Sequence, residues 1–375
     1  MIYVSFWFTC SPIHFSIVQE GRGVAQSYKE AVRLLNLGVE KDHSNSKFHL
    51  ACMYEEGRGV AQNLDKAAEM LMDLMEDQDD IPKKLVVLIV CRLASMYRDG
   101  RGVPMNKKKA LELLSDESFD EDADVSYLHA SILLENSTGS SKEQKDGPKV
   151  KRLLKLAAAK NHAGAQYMLA CQLKGVNLKQ KIALLKSASK SNANAMFKLA
   201  CMFADGEGVK RDDKEAARLL MSAVSKGHLE SHCRLAGMFE SGKGGVQSME
   251  AAAMLYGQAA EKKNAAALCN LARMHTHGLG VIQSHSEAFK YCRLAAGQGF
   301  TQAQYDLARM YEHGIGTAVV RSEALRLFHV AAAEGHQDAA AALRRLTIAD
   351  TAIELPESES QRACPSGIAS NCSVL

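Results

Sequence analysis

The side chains with the widest chemical reach are ten cysteines and thirteen histidines in a chain of 375 residues. Their spacing decides which chemistry is open to them. No C-x-x-C pair occurs, which removes the common zinc ribbons. The densest imidazole cluster is His275, His277 and His285. No G-x-S-x-G motif, H-E-x-x-H motif or paired carboxylate set stands out. Gly-x-Gly pairs recur, but they lack the third glycine or the Lys-Ser/Thr of a phosphate loop, and no strand-like run precedes them. The expectation is a chain with no catalytic set, no metal and no cofactor.

The sharpest chemical signal is the last four residues. Cys372-Ser373-Val374-Leu375 reads as a C-a-a-X box whose terminal leucine favours a geranylgeranyl group. Cys364 is a candidate for a second, palmitoyl anchor. That matters because one lipid chain binds a membrane only marginally and the tail has no polybasic run. Ser373-Val374-Leu375 also fits a PDZ groove, which captures a terminal carboxylate. Prenyl processing would remove those three residues, so the two readings exclude each other. Asn136-Ser137-Thr138 is a glycosylation sequon that matters only in a secretory lumen.

The elements that must carry these residues are set by an internal repeat. Gly206/Gly208, Gly242/Gly244, Gly278/Gly280 and Gly314/Gly316 start 36 residues apart, and earlier copies stand at Gly21/Gly23, Gly57/Gly59 and Gly100/Gly102. Seven residues before the first glycine come Leu50, Leu93, Leu199, Leu235, Leu271 and Leu307. Four before it come Met53, Met96, Met202, Met238, Met274 and Met310. Ten after it every copy has alanine, at Ala31, Ala67, Ala110, Ala216, Ala252, Ala288 and Ala324. The apolar positions on each side follow a 3.6-residue period, so each copy predicts two helices, A and B, around a glycine turn. Glycine suits the turn because a left-handed residue closes helix A at almost no steric cost. Alanine lets the helices approach closely. One hairpin cannot bury its own surface, so neighbours must stack.

Composition agrees. Only 6 prolines occur, and none falls between residues 149 and 355; Pro82, Pro104 and Pro148 read as helix starts or loops. The 46 basic and 43 acidic side chains leave a formal charge of +3, too little to hold a nucleic acid by bulk electrostatics. A mean hydropathy of −0.17 with 24% charged residues excludes a multi-span membrane protein and a wholly disordered chain.

The pattern A-x-[YF]-x-L-A-x-M-[YF]-x-x-G-x-G-V, carried for example by Ala195, Phe197, Leu199, Ala200, Met202, Phe203, Gly206, Gly208 and Val209, resembles the Sel-one-like repeat (SLR) family, relatives of the tetratricopeptide repeat. The resemblance covers roughly residues 12–346. It implies an all-α fold, a right-handed α/α solenoid of about nine helix-turn-helix repeats with a disordered C-terminal tail. The expected organisation is N-terminal repeats over 1–115, the first incomplete; degenerate repeats over 116–192; regular repeats and a cap over 193–349; and a tail over 350–375. In the degenerate region the turn becomes a polar loop, Asn136 to Lys149. A second unit keeps only Gly175-Val176, and Asp116 to Asp124 reads as a mobile acidic insertion. Residues 1–18 hold no Asp, Glu, Lys or Arg, but they lack a basic n-region and are interrupted by Pro12 and His14. They read as an incomplete first repeat rather than a targeting segment.

Repeat phase reinterprets the reactive residues. Cys91, Cys233 and Cys269 stand nine before the glycine, where other copies place Phe48, Phe197 and Tyr305. They are core substitutes, and no unit has the two phase-locked cysteines of the secreted, cysteine-rich bacterial SLR proteins. Reduced thiols in a cytosolic or nuclear compartment are expected. His275 takes an aromatic position of helix A, which favours packing over ligation. In such solenoids helix A lines the concave groove, so Arg273 and Arg309, in one column of adjacent units, are candidates to contact carboxyl-bearing partner segments. The bland alternative is two solvated arginines. The family resemblance implies a non-enzymatic scaffold for protein partners in a signalling or membrane-associated complex, reached here through a lipidated tail. The alternative it implies is an adaptor of an ER-associated degradation ubiquitin ligase, in the endoplasmic reticulum. A remote one is a hydrolase like the cysteine-rich bacterial proteins.

Overall fold

The computed structural model describes residues 27–76, 81–137, 143–173 and 177–353. Residues 1–18, Gly21, Gly23, Gly175, Val176, Cys364 and Cys372 lie outside the described residues. The described residues contain eighteen α-helices and no strand. They divide between Leu199 and Ala200 into two compact units, each a stack of α/α hairpins.

The first unit opens on a B helix, α1 (Tyr28–Val39). Four hairpins follow: α2 (Ser44–Glu56) with α3 (Leu64–Glu76), α4 (Lys83–Asp99) with α5 (Lys107–Leu113), α6 (Ala123–Ser137) with α7 (Glu143–Ala159), and α8 (Ala163–Gln172) with α9 (Leu178–Ala188). The division falls within α10 (Ala193–Asp205), the partner of α11 (Asp213–Ser225). The second unit continues with α12 (Leu229–Ser241) and α13 (Met249–Glu261), α14 (Ala265–His277) and α15 (His285–Ala296), and α16 (Thr301–His313) and α17 (Arg321–Ala333). A single helix, α18 (Gln337–Ile353), closes it.

Each hairpin is written locally. Helix A stops at the first glycine: Gly57, Gly100, Gly242, Gly278 and Gly314 are left-handed, and each donates its N–H to the carbonyl of the methionine four residues back. That is a C-cap. Helix B starts six residues after the glycine, where Ser27, Asn63, Asn106, Asp212, Ser248 and Ser284 each accept the backbone N–H three residues on. Each such N-cap is worth ~1 kcal/mol.

The second glycine has a separate task. At Gly280 a Cβ would come closer than 3.0 Å to the backbone of Met249, and at Gly316 to that of His285. Gly59, Gly102 and Gly244 meet the starts of α1, α3 and α11 in the same way. The turn therefore sits backbone to backbone on the first turn of the preceding repeat's B helix, and only a residue without Cβ permits that.

The core forms along two B-helix columns. The seven alanines of the +10 column are all 0% exposed. Four residues on, Leu35, Leu71, Leu114, Leu220, Tyr256, Cys292 and Phe328 are buried as well. The methyl column sets the interhelical spacing and the larger column fills the volume behind it.

The degenerate repeats differ from expectation. Glu143–Ala159 is helical with Pro148 inside it, so the polar loop is shorter than Asn136 to Lys149, and Pro148 is neither a start nor a loop residue. Asn136 lies in the last turn of α6. The acidic stretch carries local structure. Glu117–Phe119 forms a 3-10 turn, Asp116 accepts the N–H of Ser118, Asp122 caps α6 through the N–H of Val125, and Asp120 pairs with Arg152 at 3.0 Å. Asp116, Asp120 and Asp122 thus serve as caps and an ion pair.

His129 in α6 is 3% exposed, and its Nδ1 has no hydrogen-bond partner among the described residues. Burial, helped by the charge of Lys149, pushes its pKa from 6.5 down to about 4. Burial also lowers His49 and His228. The unfolded chain takes up the His129 proton near pH 6.5 and the folded chain only near pH 4. Stability is therefore whole above that window and falls as pH drops through it, by up to ~1.4 kcal/mol per pH unit for one proton. Urea midpoints measured across the window should fall with pH, and His129→Phe should flatten the slope. A slope unchanged in the variant would assign the proton elsewhere.

Candidate functional site

In the second unit, successive A helices are joined by arginine–carboxylate clasps. Asp205 of α10 holds Arg234 of α12 at 2.7 Å, and Glu240 of α12 holds Arg273 of α14 at 2.7 Å. Glu312 of α16 holds Arg345 of α18 in the same way. The last two follow one rule. The acid stands two residues before the first glycine, and the arginine lies 33 residues on. Glu240 and Glu312 are 19% and 14% exposed, so these clasps are partly desolvated. An exposed pair is worth ~0.2–1 kcal/mol.

The rule does not hold at the other two junctions: between α10 and α12 its positions are Ala204 and Gly237. Between α14 and α16 the acid position holds Thr276, whose hydroxyl donates to the carbonyl of Ala272. Arg309, opposite, is exposed and has no carboxylate within ion-pairing distance among the described residues. A cavity of about 430 Å³ opens at this junction, lined by Arg309, Thr276, Asp306, Cys269, Cys292 and Met310 among others. Its volume has a sequence cause. Cys292 occupies the column filled elsewhere by leucine, tyrosine or phenylalanine, and Cys269 a column shared by Phe48, Phe197, Tyr305, Cys91 and Cys233. A second cavity of about 350 Å³ shares Arg309 and lies against α18.

Asp306 forms one wall. It accepts from Gln302 Nε2 at 3.2 Å and from the Cys269 thiol at 3.7 Å, and burial raises its pKa. The expected arginine pair thus separates into two residues of different kind. Arg273 is spent on Glu240, whereas Arg309 faces open space.

These features recur on a scaffold that other proteins share. The Sel1 repeat profile matches residues 17–43, 44–71, 90–115, 193–228, 229–264, 265–300 and 301–336, more than half of the chain. The chain belongs to the Sel1 repeat family. No curated sequence matches it. Among solved structures it is similar to a protective antigen of uropathogenic Escherichia coli with an SLR fold: TM-score 0.63, 20% identity, 90% of this chain and 79% of that one. A Sel1 repeat protein from Oxalobacter formigenes aligns with TM-score 0.49 and 20% identity over 88% of this chain and 85% of that one. An immunity protein from Pseudomonas aeruginosa aligns with TM-score 0.35 and 25% identity over 48% and 67%. The likeness to the E. coli antigen shows the fold. The profile leaves residues 116–192 unmatched, yet α6 to α9 build two further hairpins there.

The remaining reactive residues serve the Sel1 repeat scaffold. Cys52, Cys91, Cys171, Cys201, Cys233, Cys269 and Cys292 are free thiols. Burial pushes Cys52 and Cys233 up to about 11 and Cys91 and Cys269 to about 12, and raises Cys292 further. A thiol held protonated is a poor nucleophile and a poor metal ligand. His275 stacks on Tyr291 at 5.6 Å, while His285 begins α15. Among the described residues no group of three or more His, Cys, Asp or Glu side chains could hold a metal. Other histidines cap A helices: His162, His228 and His336 accept the N–H three residues on. No described helix is long and apolar enough to cross a membrane.

Proposed function

We propose that this Sel1 repeat protein is a non-enzymatic adaptor that holds a protein partner on the A-helix surface of its second unit. In this reading it works in the cytoplasm at a membrane surface, tethered by a geranylgeranyl group on Cys372 with Cys364 as a second acylation site. The observation that carries it is the contrast at the α14–α16 junction. The thiols there are buried and protonated, and an exposed arginine with no ion pair among the described residues opens on a cavity between repeats. Arg309 offers a charge to orient a ligand, and the thiols beside it are held in their unreactive form. The tether is supported by the terminal Cys372-Ser373-Val374-Leu375, and a chain with +3 net charge would need it to reach a membrane.

The test compares full-length protein with Cys372→Ser and Arg309→Glu forms by cell fractionation, proximity labelling and mass spectrometry of the tail. The reading expects a prenylated, membrane-associated wild type and a soluble Cys372→Ser form. It also expects partners labelled by both that are lost from Arg309→Glu. An unmodified, soluble wild type overturns the tether. A partner set indifferent to Arg309→Glu overturns the assigned surface. A glycan on Asn136 would place the chain in a secretory lumen and overturn the cytoplasmic reading.

A further inference from the structure

We infer that the open α14–α16 junction is a receptor for one acidic side chain, presented by a protein partner within an aliphatic segment. The inference rests on the adaptor reading above and names the chemistry that the surface recognises. Its basis is the repeat itself, which shows what this position contains at the junctions on either side. Where this chain places Glu240 and Glu312, the next A helix's arginine closes on it at 33-residue spacing. At the α14–α16 junction Thr276 stands in place of the acid while Arg309 is kept, whereas at α10–α12 both members are absent, as Ala204 and Gly237. The structure therefore contains the cationic half of a clasp whose anionic half is missing.

One further deletion makes room. Cys292 replaces the larger core side chain of every other copy, and it lines the cavity of about 430 Å³ together with Cys269 and Arg309. Met310, Ala272 and Ile315 add apolar wall, which suits aliphatic neighbours of the incoming acid. Charge balance selects the ligand. Arg273 is already neutralised by Glu240. Asp306, three residues before Arg309 on the same helix, is engaged by Gln302 and Cys269. Arg309 feels the charge of Asp306 along its own helix but has no ion pair among the described residues, and a single guanidinium fits a monoanion in fork geometry and disfavours a phosphate dianion. The protein partner supplies the oxygen pair that Glu240 and Glu312 supply elsewhere.

The probe is an N-acetylated, C-amidated Leu-Glu-Leu tripeptide, with Leu-Gln-Leu as its neutral match. It is titrated into full-length protein labelled with 13C at the methionine methyls. The Met310 methyl should shift saturably with the glutamate peptide, and the glutamine peptide should bind about tenfold more weakly. Thr276→Glu, which restores the missing acid in place, should weaken the glutamate peptide at least about tenfold with a thermal midpoint no lower than wild type. Arg309→Gln should do the same to binding. An absent or glutamine-insensitive Met310 shift overturns the inference, as does full affinity in Thr276→Glu. Either result leaves the adaptor reading intact if partners are still lost from Arg309→Glu. That reading fails separately when the partner set is indifferent to Arg309.

Discussion

Gly280→Ala should cost about 3 kcal/mol or more of stability, while Gly278→Ala, two residues away, should cost about 1 kcal/mol. Both glycines have positive φ, +66° at Gly278 and +65° at Gly280, and a side chain there pays the left-handed penalty in either case. Their surroundings differ. A Cβ on Gly278 meets the Cβ of Gln283 at 3.3 Å, a tight contact that a small shift of the loop relieves. A Cβ on Gly280 would overlap the backbone of Met249 and Glu250 at the start of α13. Backbone in a helix cannot move without dragging the helix, so the α14–α15 hairpin must lift off its neighbour. In a stacked array the loss falls on one interface. Urea midpoints of the two variants test this. Equal destabilisation would mean that the second glycine is only a turn residue.

Phe328→Ala should destabilise by about 3–5 kcal/mol. Phe328 is 0% exposed in the column that packs behind the alanines, with its ring 5.8 Å from that of Tyr305, so its truncation removes a whole ring from the core. The same column predicts the opposite sign at one site. Cys292→Leu restores the residue type found at Leu71, Leu114 and Leu220, and it enters an existing cavity rather than a filled core. It should hold or raise stability, by up to about 1 kcal/mol, and weaken the glutamate peptide by occupying its volume. Calorimetry on both variants is decisive. A Cys292→Leu form destabilised as much as an overpacked core would show that the cavity is not continuous with the column.

Much of the fold was legible because it is periodic. The glycine, leucine, methionine and alanine columns locate both helices of a repeat, and each column has a local physical reason. The N-cap column at Ser27, Asn63, Asn106, Asp212, Ser248 and Ser284 was equally open to reading, since cap chemistry needs only the neighbouring backbone. The degenerate repeats were read less well. Polar composition looked like loop, whereas Asp116, Asp120 and Asp122 find partners and caps that sequence spacing does not display.

The sequence alone determined the unit: two helices, a paired-glycine turn and a 36-residue period follow from side-chain periodicity and φ preference within each repeat. The candidate arginines were visible too, but as one column of like residues. Tertiary structure decided what each of them is. Arg273 meets an acid 33 residues earlier and Arg309 meets threonine at the same spacing, a difference that exists only when A helices lie side by side. It likewise decided that the second glycine is a contact between repeats, and that Cys292 and Cys269 line a cavity beside Arg309. Local propensity acts over a turn of helix. Charge pairing and close packing act across the stack, between residues that no short window of sequence contains.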